Sequence, residues 1–100
     1  MTATADLAAL QIGDFSPLVG AGFDMQTEAG VVPLKLAKVD PAGNSGRPGG
    51  AFSLIFVAPK GPWLRQAIYP VTHATLGTIE IFLVPVGPTG DGNGYQAVFT

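Results

Sequence analysis

The stretch TIEIFLVPV at residues 78–86 decides the fold class. Ile79, Ile81 and Leu83 alternate along it, and Phe82 stands on the opposite face. Apolar residues with a period of two, rich in β-branched and aromatic types, are typical of a β-strand. The stretch is therefore the strongest predicted strand, and residues 51–58, which are apolar on both faces, are predicted to be a strand that is covered on both sides.

The same period of two recurs on either side of this strand. Turn-forming residues, and not helical segments, separate the stretches, which favours antiparallel pairing of neighbours. The sequence therefore predicts an all-β fold, a compact six-stranded antiparallel barrel or sandwich, and the pattern leaves these two open. The other five strands are predicted at residues 21–27, 31–40, 51–58, 66–73 and 95–99.

Proline and glycine mark where the predicted strands are interrupted. Pro85, inside the strongest stretch, predicts a bulge or a strand end, because proline has no N–H to donate to a ladder. Residues 87–94 are rich in glycine and predict a hairpin loop. Within it, Asn93-Gly94 is a typical hairpin turn dipeptide, because both residues tolerate positive φ.

The first twenty residues differ from the rest and predict a short helical lead-in. Thr4 is placed to cap a helix over residues 5–11, and a second helical turn follows over residues 14–20, capped by Asp14 or Ser16. The 100 residues are enough for one domain. We therefore divide a single domain, 1–100, into a helical lead-in (1–20) and a β domain (21–100).

Composition excludes several classes of protein. Charged residues make up 12% of the chain, the formal net charge is -2, and there is no cysteine and one histidine. This excludes disulfide scaffolds and thiolate metal sites, and it argues against a metal centre and against nucleic-acid binding. The glycine-rich segments match neither a dinucleotide fingerprint nor a phosphate-binding loop, so we expect no cofactor.

Targeting and membrane signals are also missing from the sequence. No run of 18 apolar residues is present, so we expect no membrane insertion. The N-terminal residues lack the basic start and apolar core of a signal peptide, which predicts cytoplasmic synthesis.

The loop around Trp63 is the best candidate for a binding site. Trp63 follows Pro62 and has a cation on each side, Lys60 and Arg65. Tryptophan and arginine dominate the energetics of protein interfaces, and an exposed tryptophan can also stack on a sugar. The alternative is that Trp63 covers one end of the core, with its indole N–H bonded to a backbone carbonyl.

His73 is the candidate for a catalytic residue, because imidazole titrates near neutral pH. With Glu80 or an aspartate it would serve as a general base of a hydrolase, but no nucleophile motif accompanies it. We favour a structural histidine at a strand end, bonded to a backbone carbonyl. Gln66, Tyr69 and His73 are then expected to form a polar network at one end of the barrel that fixes strand register.

The sequence resembles a small bacterial domain family of unknown function. The most specific block runs from Leu64 to Gly77, with Gln66, Tyr69 and His73 in fixed order, and continues into FLVPVG. The resemblance implies a neighbour of phage-tail-collar-like fibre proteins of the microcystin-dependent type, and it carries over no catalytic residue. The other blocks are FxxLxGxxF at residues 15–23, FSLIF at 52–56 and YxAVF at 95–99.

The residues of these blocks are of the kinds that a small hydrophobic core requires, so the blocks are explained by folding without a chemical role. Their aromatic residues are expected to supply the large rings of the core: Phe15, Phe23, Phe52, Phe56, Tyr69, Phe82, Tyr95 and Phe99. With so little charge, part of the apolar surface of so small a domain stays exposed unless a partner covers it. We therefore predict a protein partner or self-association.

The combined interpretation is a non-enzymatic structural or protein-binding module. It would be an accessory or assembly partner of a phage-tail-like or surface fibre protein, docking through a sheet edge or the Trp63 loop, and incorporation into an extracellular assembly is compatible with cytoplasmic synthesis. The alternative is a β-barrel that binds a small ligand or a carbohydrate at a mouth formed by Trp63, Tyr69 and His73. A hydrolase that uses His73 is the third hypothesis.

Overall fold

The chain folds as a closed six-stranded antiparallel β-barrel, as a computed structural model of residues 12–28, 30–41, 51–61, 63–90 and 92–99 describes it. Around the barrel the strands follow the order β1-β2-β3-β6-β5-β4. The all-β prediction is confirmed, and of its two alternatives the barrel is right. The strands are β1 (Gly22–Thr27), β2 (Gly30–Pro41), β3 (Phe52–Pro59), β4 (Ala67–His73), β5 (Gly77–Thr89) and β6 (Gly92–Phe99).

A short helical segment precedes the barrel, as predicted. It consists of α1 (Ile12–Phe15) and a 3-10 turn (Ser16–Leu18). Phe15 is at the N-cap position of the 3-10 turn and makes no side-chain cap hydrogen bond. The predicted cap by Ser16 is not made, because the Ser16 hydroxyl donates to the Ile12 carbonyl at 3.0 Å. The helix predicted over residues 5–11 lies outside the described residues.

Phe15 at the end of α1 closes one end of the barrel. Its ring is fully buried and lies 5.7 Å from that of Phe52 and 5.6 Å from that of Phe99. Phe52 and Phe99, which are paired across β3 and β6, stack at 4.6 Å. We call this end the helix end, and the opposite end, where β1 leads into β2, the loop end.

Alternation places one side chain in two in the barrel interior. Phe23 and Met25 of β1 and Ile79, Ile81 and Leu83 of β5 are buried. In β3, which we predicted to be covered on both faces, the inward residues are buried and the outward ones only half-buried. A closed barrel has one interior, so the outer face of each strand is covered only by what packs on it.

Phe82 is the one predicted core ring that the barrel leaves on its outside. It is 51% exposed, because Ile81 and Leu83 take the inward positions on either side of it. Tyr69 is half-buried, and the other six predicted rings are buried. The sequence could not settle which face of 78–86 points inward, since both faces are apolar.

The predicted glycine-rich loop at residues 87–94 is wrong, because strand pairing continues through it. β5 extends to Thr89 and β6 begins at Gly92, with a register shift between Pro85 and Gly87 where the sequence indicated a bulge. Asn93 is not a turn residue: it is 6% exposed and pairs with Ala58.

Two glycines of this hairpin are needed for space. A Cβ on Gly92 would meet the Ala58 carbonyl, and a Cβ on Gly94 would meet the Thr89 hydroxyl. The glycines therefore permit the close approach of β3, β5 and β6 at the loop end of the barrel.

Candidate functional site

The barrel is closed by its weakest ladder, between β1 and β4. Only two residue pairs join these strands, Asp24 with Thr72 and Met25 with Val71. The next pair in the same register would be Gln26 with Pro70, and there the pairing stops. Proline has no N–H to donate, so Pro70 can offer a neighbouring strand only its carbonyl at this position.

Beyond Pro70 the two strands diverge and leave a groove at the loop end, which we call the seam groove. Its volume is about 740 Å³. Gln26 and Glu28 lie on the β1 side, and Ile68 and Tyr69 on the β4 side. In β4, residues 67–70 pair with β5 but have no ladder partner on the side that faces β1.

Trp63 forms part of the wall of the seam groove. It is 45% exposed, and its ring lies 5.7 Å from the ring of buried Tyr95, at an angle of 57°. Trp63 therefore rests with one side on the barrel and has the other side open to a partner. No hydrogen bond joins its indole N–H to any residue that the structure describes, so the predicted bond to a backbone carbonyl is not made there.

Two buried polar side chains of β6 hold the loop that carries Trp63. The Leu64 amide donates to the Tyr95 hydroxyl at 3.0 Å. The Asn93 side-chain amide donates to the Gly61 carbonyl at 3.1 Å. These bonds fix the loop on both sides of Trp63 to a strand more than thirty residues away, and they reduce the entropy that the loop would lose on binding.

The two cations predicted to flank the site occupy different positions. Arg65 lines the seam groove together with Trp63, whereas Lys60, which is exposed, does not line it. The groove also contains the carboxylate of Glu28. Its lining therefore includes one charged residue of each sign, and most of its walls are apolar.

The predicted network of Gln66, Tyr69 and His73 is not formed. The Tyr69 hydroxyl donates to the Arg65 carbonyl at 2.6 Å, and Gln66 is exposed. His73 lies four residues along β4 from Tyr69, which is about 13 Å at the usual rise of a strand. Tyr69 therefore belongs to the loop end of the barrel and His73 to the helix end.

His73 stabilises a turn. Its Nδ1 accepts hydrogen bonds from the amides of Thr75 at 3.0 Å and Leu76 at 3.3 Å, and its ring lies 4.7 Å from that of Phe23. We predicted a structural histidine at a strand end. The position is confirmed, but the bonds go to backbone amides and not to a carbonyl. Glu80, its predicted helper, is exposed and pairs with Pro70, on the opposite face of the sheet from His73.

Among the described residues, no group of three or more His, Cys, Asp or Glu side chains is placed to hold a metal ion. None of the helices found there is long and apolar enough to cross a membrane.

Sequence reasoning found Trp63 and Arg65 but missed the seam. The signal that could have found it is Pro70, since a proline inside a predicted strand indicates a position without a ladder partner. Ile68 was also missed. It is 65% exposed, and it lies where β4 borders both the seam groove and the outer sheet face.

The profile of a protein family matches residues 10–99, which is nearly the whole chain, and the family is described as a domain of unknown function, DUF6916. The chain belongs to the DUF6916 family. This confirms the resemblance to a small domain of unknown function. No curated protein and no solved structure matches the chain. The function of this DUF6916 domain must therefore be argued from its own geometry.

Proposed function

We propose that this DUF6916 domain is a non-enzymatic protein-binding module that takes its partner in the seam groove. The observation that carries the proposal is Trp63, which is 45% exposed on the wall of a groove and held there by the bond between Leu64 and Tyr95. A tryptophan that is fixed in place and half-open to solvent is the kind of residue that contributes most to protein interfaces.

The edge of β4 supports an extended partner segment. Among the residues that the structure describes, none is a ladder partner of 67–70 on the β1 side, so their main-chain groups on that side could pair with a strand from another protein. A closed barrel has no strand with a completely unpaired edge, so a partner cannot dock along a full strand. We therefore propose that it docks along the short unpaired part of β4. Main-chain bonds would align the partner strand, and Trp63 and Ile68 would receive its side chains.

The partner that we propose is a phage-tail-collar-like fibre protein. The resemblance of the sequence blocks to a family encoded beside such proteins supports this choice. The domain would act as an accessory or assembly partner, made in the cytoplasm and then incorporated with the fibre into a tail-like or surface assembly.

Titration calorimetry of the domain with the fibre protein of the same genome tests the proposal. We expect a one-to-one complex that Trp63→Ala weakens by about tenfold or more, as at a hot spot. Arg65→Ala is expected to weaken it less, and Lys60→Ala to leave it unchanged because Lys60 does not line the groove.

The proposal has two parts, the identity of the partner and the position of the binding site, and a different result would reject each. Absence of any complex would reject the fibre protein as partner. A complex that Trp63→Ala leaves intact, in a variant with the circular dichroism spectrum of the wild type, would reject the groove as the site.

A small-ligand site is the second candidate, and the presence of two aromatic residues in one groove favours it. Trp63 and Tyr69 both line the seam groove, where a sugar ring could stack. His73, the third residue predicted for this mouth, is at the helix end and would not take part. A shift of Trp63 fluorescence with any member of a broad glycan panel would favour this function, and an unchanged spectrum across the panel would reject it.

A further inference from the structure

The outward positions of β4, β5 and β6 carry a group of exposed apolar side chains, of which Ile68 alone also lines the seam groove. Ile68, Phe82 and Val98 are 65%, 51% and 54% exposed. Ile68 lies directly opposite Phe82 in the antiparallel ladder. Val84 of β5 pairs with Gln96 of β6. Two residues further toward the helix end in the same register, Phe82 of β5 and Val98 of β6 lie side by side on the same outer face. We call these four apolar residues, Ile68, Phe82, Val84 and Val98, the β5 face.

Charge is distributed unevenly around the barrel. β3, β4, β5 and β6 contain a single Asp, Glu, Lys or Arg residue, Glu80. β1 and β2 together contain four, including the exposed ion pair of Lys38 with Asp40 at 3.3 Å. A partner with a charged surface would find almost no complementary group on the β5 face, whereas an equally neutral apolar surface would suit it.

The size of the β5 face fits a modest interface. The exposed parts of its side chains, with the neighbouring Val86, which is 47% exposed, amount to on the order of 400 Å². Two such faces in contact would bury on the order of 1,000 Å² with their half-buried neighbours, which is near the lower limit of a specific interface. The area therefore suits a reversible complex of two equal faces and not an obligate one.

We propose that the β5 face packs against the same face of a second copy of this chain, in a reversible two-fold dimer. A two-fold dimer uses one patch twice, so the patch must be compatible with itself. The β5 face meets this condition, because its four side chains are all apolar. The formal net charge of -2 adds little repulsion between the copies. This inference goes beyond the proposed function: the two surfaces share Ile68, whereas Phe82, Val84 and Val98 do not line the seam groove.

Val98 and Val31 provide a matched pair of test positions. Both are valines on strands, with exposures of 54% and 56%, and Val31 is on β2, away from the β5 face. A glutamate at position 98 would place an unpaired carboxylate inside the dimer, whereas a glutamate at position 31 would stay in water.

Sedimentation velocity of the purified domain, from micromolar to millimolar concentration, measures the association. We expect the mass to rise from 10.2 kDa toward twice that value as concentration increases. Val98→Glu should raise the dissociation constant of the dimer by about tenfold or more. Val31→Glu and Trp63→Ala should leave it unchanged.

Other outcomes would overturn the proposal. A monomer at every concentration would show that the face does not self-associate. Association that Val98→Glu and Val31→Glu weaken equally would place the contact elsewhere, and loss of association in Trp63→Ala alone would assign it to the seam groove. Equal unfolding temperatures of the two glutamate variants serve as the folding control.

Discussion

The hydroxyl of Tyr95 accepts a hydrogen bond from the amide of Leu64 at 3.0 Å. Tyr95 is 1% exposed and belongs to β6, and Leu64 follows the half-exposed Trp63 in the loop between β3 and β4. A side chain from the barrel interior thus determines where the main surface aromatic of the candidate site lies. Loss of this hydrogen bond would therefore affect both the stability of the domain and the position of Trp63.

Tyr95→Phe is expected to destabilise the domain by about 1–2 kcal/mol, because it leaves the Leu64 amide without its acceptor. The same substitution at Tyr69, whose hydroxyl donates to the Arg65 carbonyl at an exposed position, is the control and should cost less. Urea denaturation of both variants measures the difference. Equal decreases in the free energy of unfolding would show that the hydrogen bond of Tyr95 with Leu64 contributes no more to stability than that of Tyr69 with Arg65.

Gly92→Ala is expected to cost about 2–3 kcal/mol, as overpacked sites do, because the added Cβ meets the backbone carbonyl of Ala58, which cannot rotate away. Gly94→Ala should also destabilise, but less, since its nearest neighbour is the hydroxyl of Thr89. Gly22→Ala, in β1 with no atom within 4 Å of its Cβ position, is the matched control. Thermal unfolding of the three variants gives the order, and a Gly92 variant as stable as the Gly22 variant would contradict the close packing of β3 and β6.

How far the sequence predicts the fold is clear from these same residues. Alternation alone predicts which side chains of residues 78–86 share a face, because Ile79, Ile81 and Leu83 recur with a period of two whatever they pack against. The turn preference of the dipeptide Asn93-Gly94 predicts a turn at Asn93. In the structure the side-chain amide of Asn93 instead donates to the Gly61 carbonyl, 32 positions away in the chain. Turn preferences depend only on neighbouring residues, so they cannot predict a contact between residues this far apart in the chain.

The site was predictable to a similar degree. Trp63 and Arg65 were found because their residue types are those of interfaces. The seam groove depends on where the β1–β4 ladder ends, and this follows from the pairing register that brings Gln26 toward Pro70. A register is a property of the whole barrel, so only the structure could show it.

His73→Ala is expected to destabilise the domain by about 1 kcal/mol, because the amides of Thr75 and Leu76 lose their shared acceptor. His73→Asn should restore part of this loss, since an asparagine side chain accepts from the amide two residues on in the same kind of turn. Chemical denaturation of the two variants measures the difference. If asparagine were no better than alanine, the role of His73 would lie in its contact with Phe23 and not in the turn.

Fluorescence of Trp63 tests the central claim most directly, because it is the only tryptophan in the chain and lies in the wall of the proposed site. The fibre protein, with its own tryptophans replaced by phenylalanine, is titrated into the domain while light scattering follows complex formation. The account predicts that the emission of Trp63 moves to shorter wavelength in step with the rise in mass, because the half-exposed indole becomes buried. A complex that forms while the emission stays unchanged, or no complex at all, would contradict it.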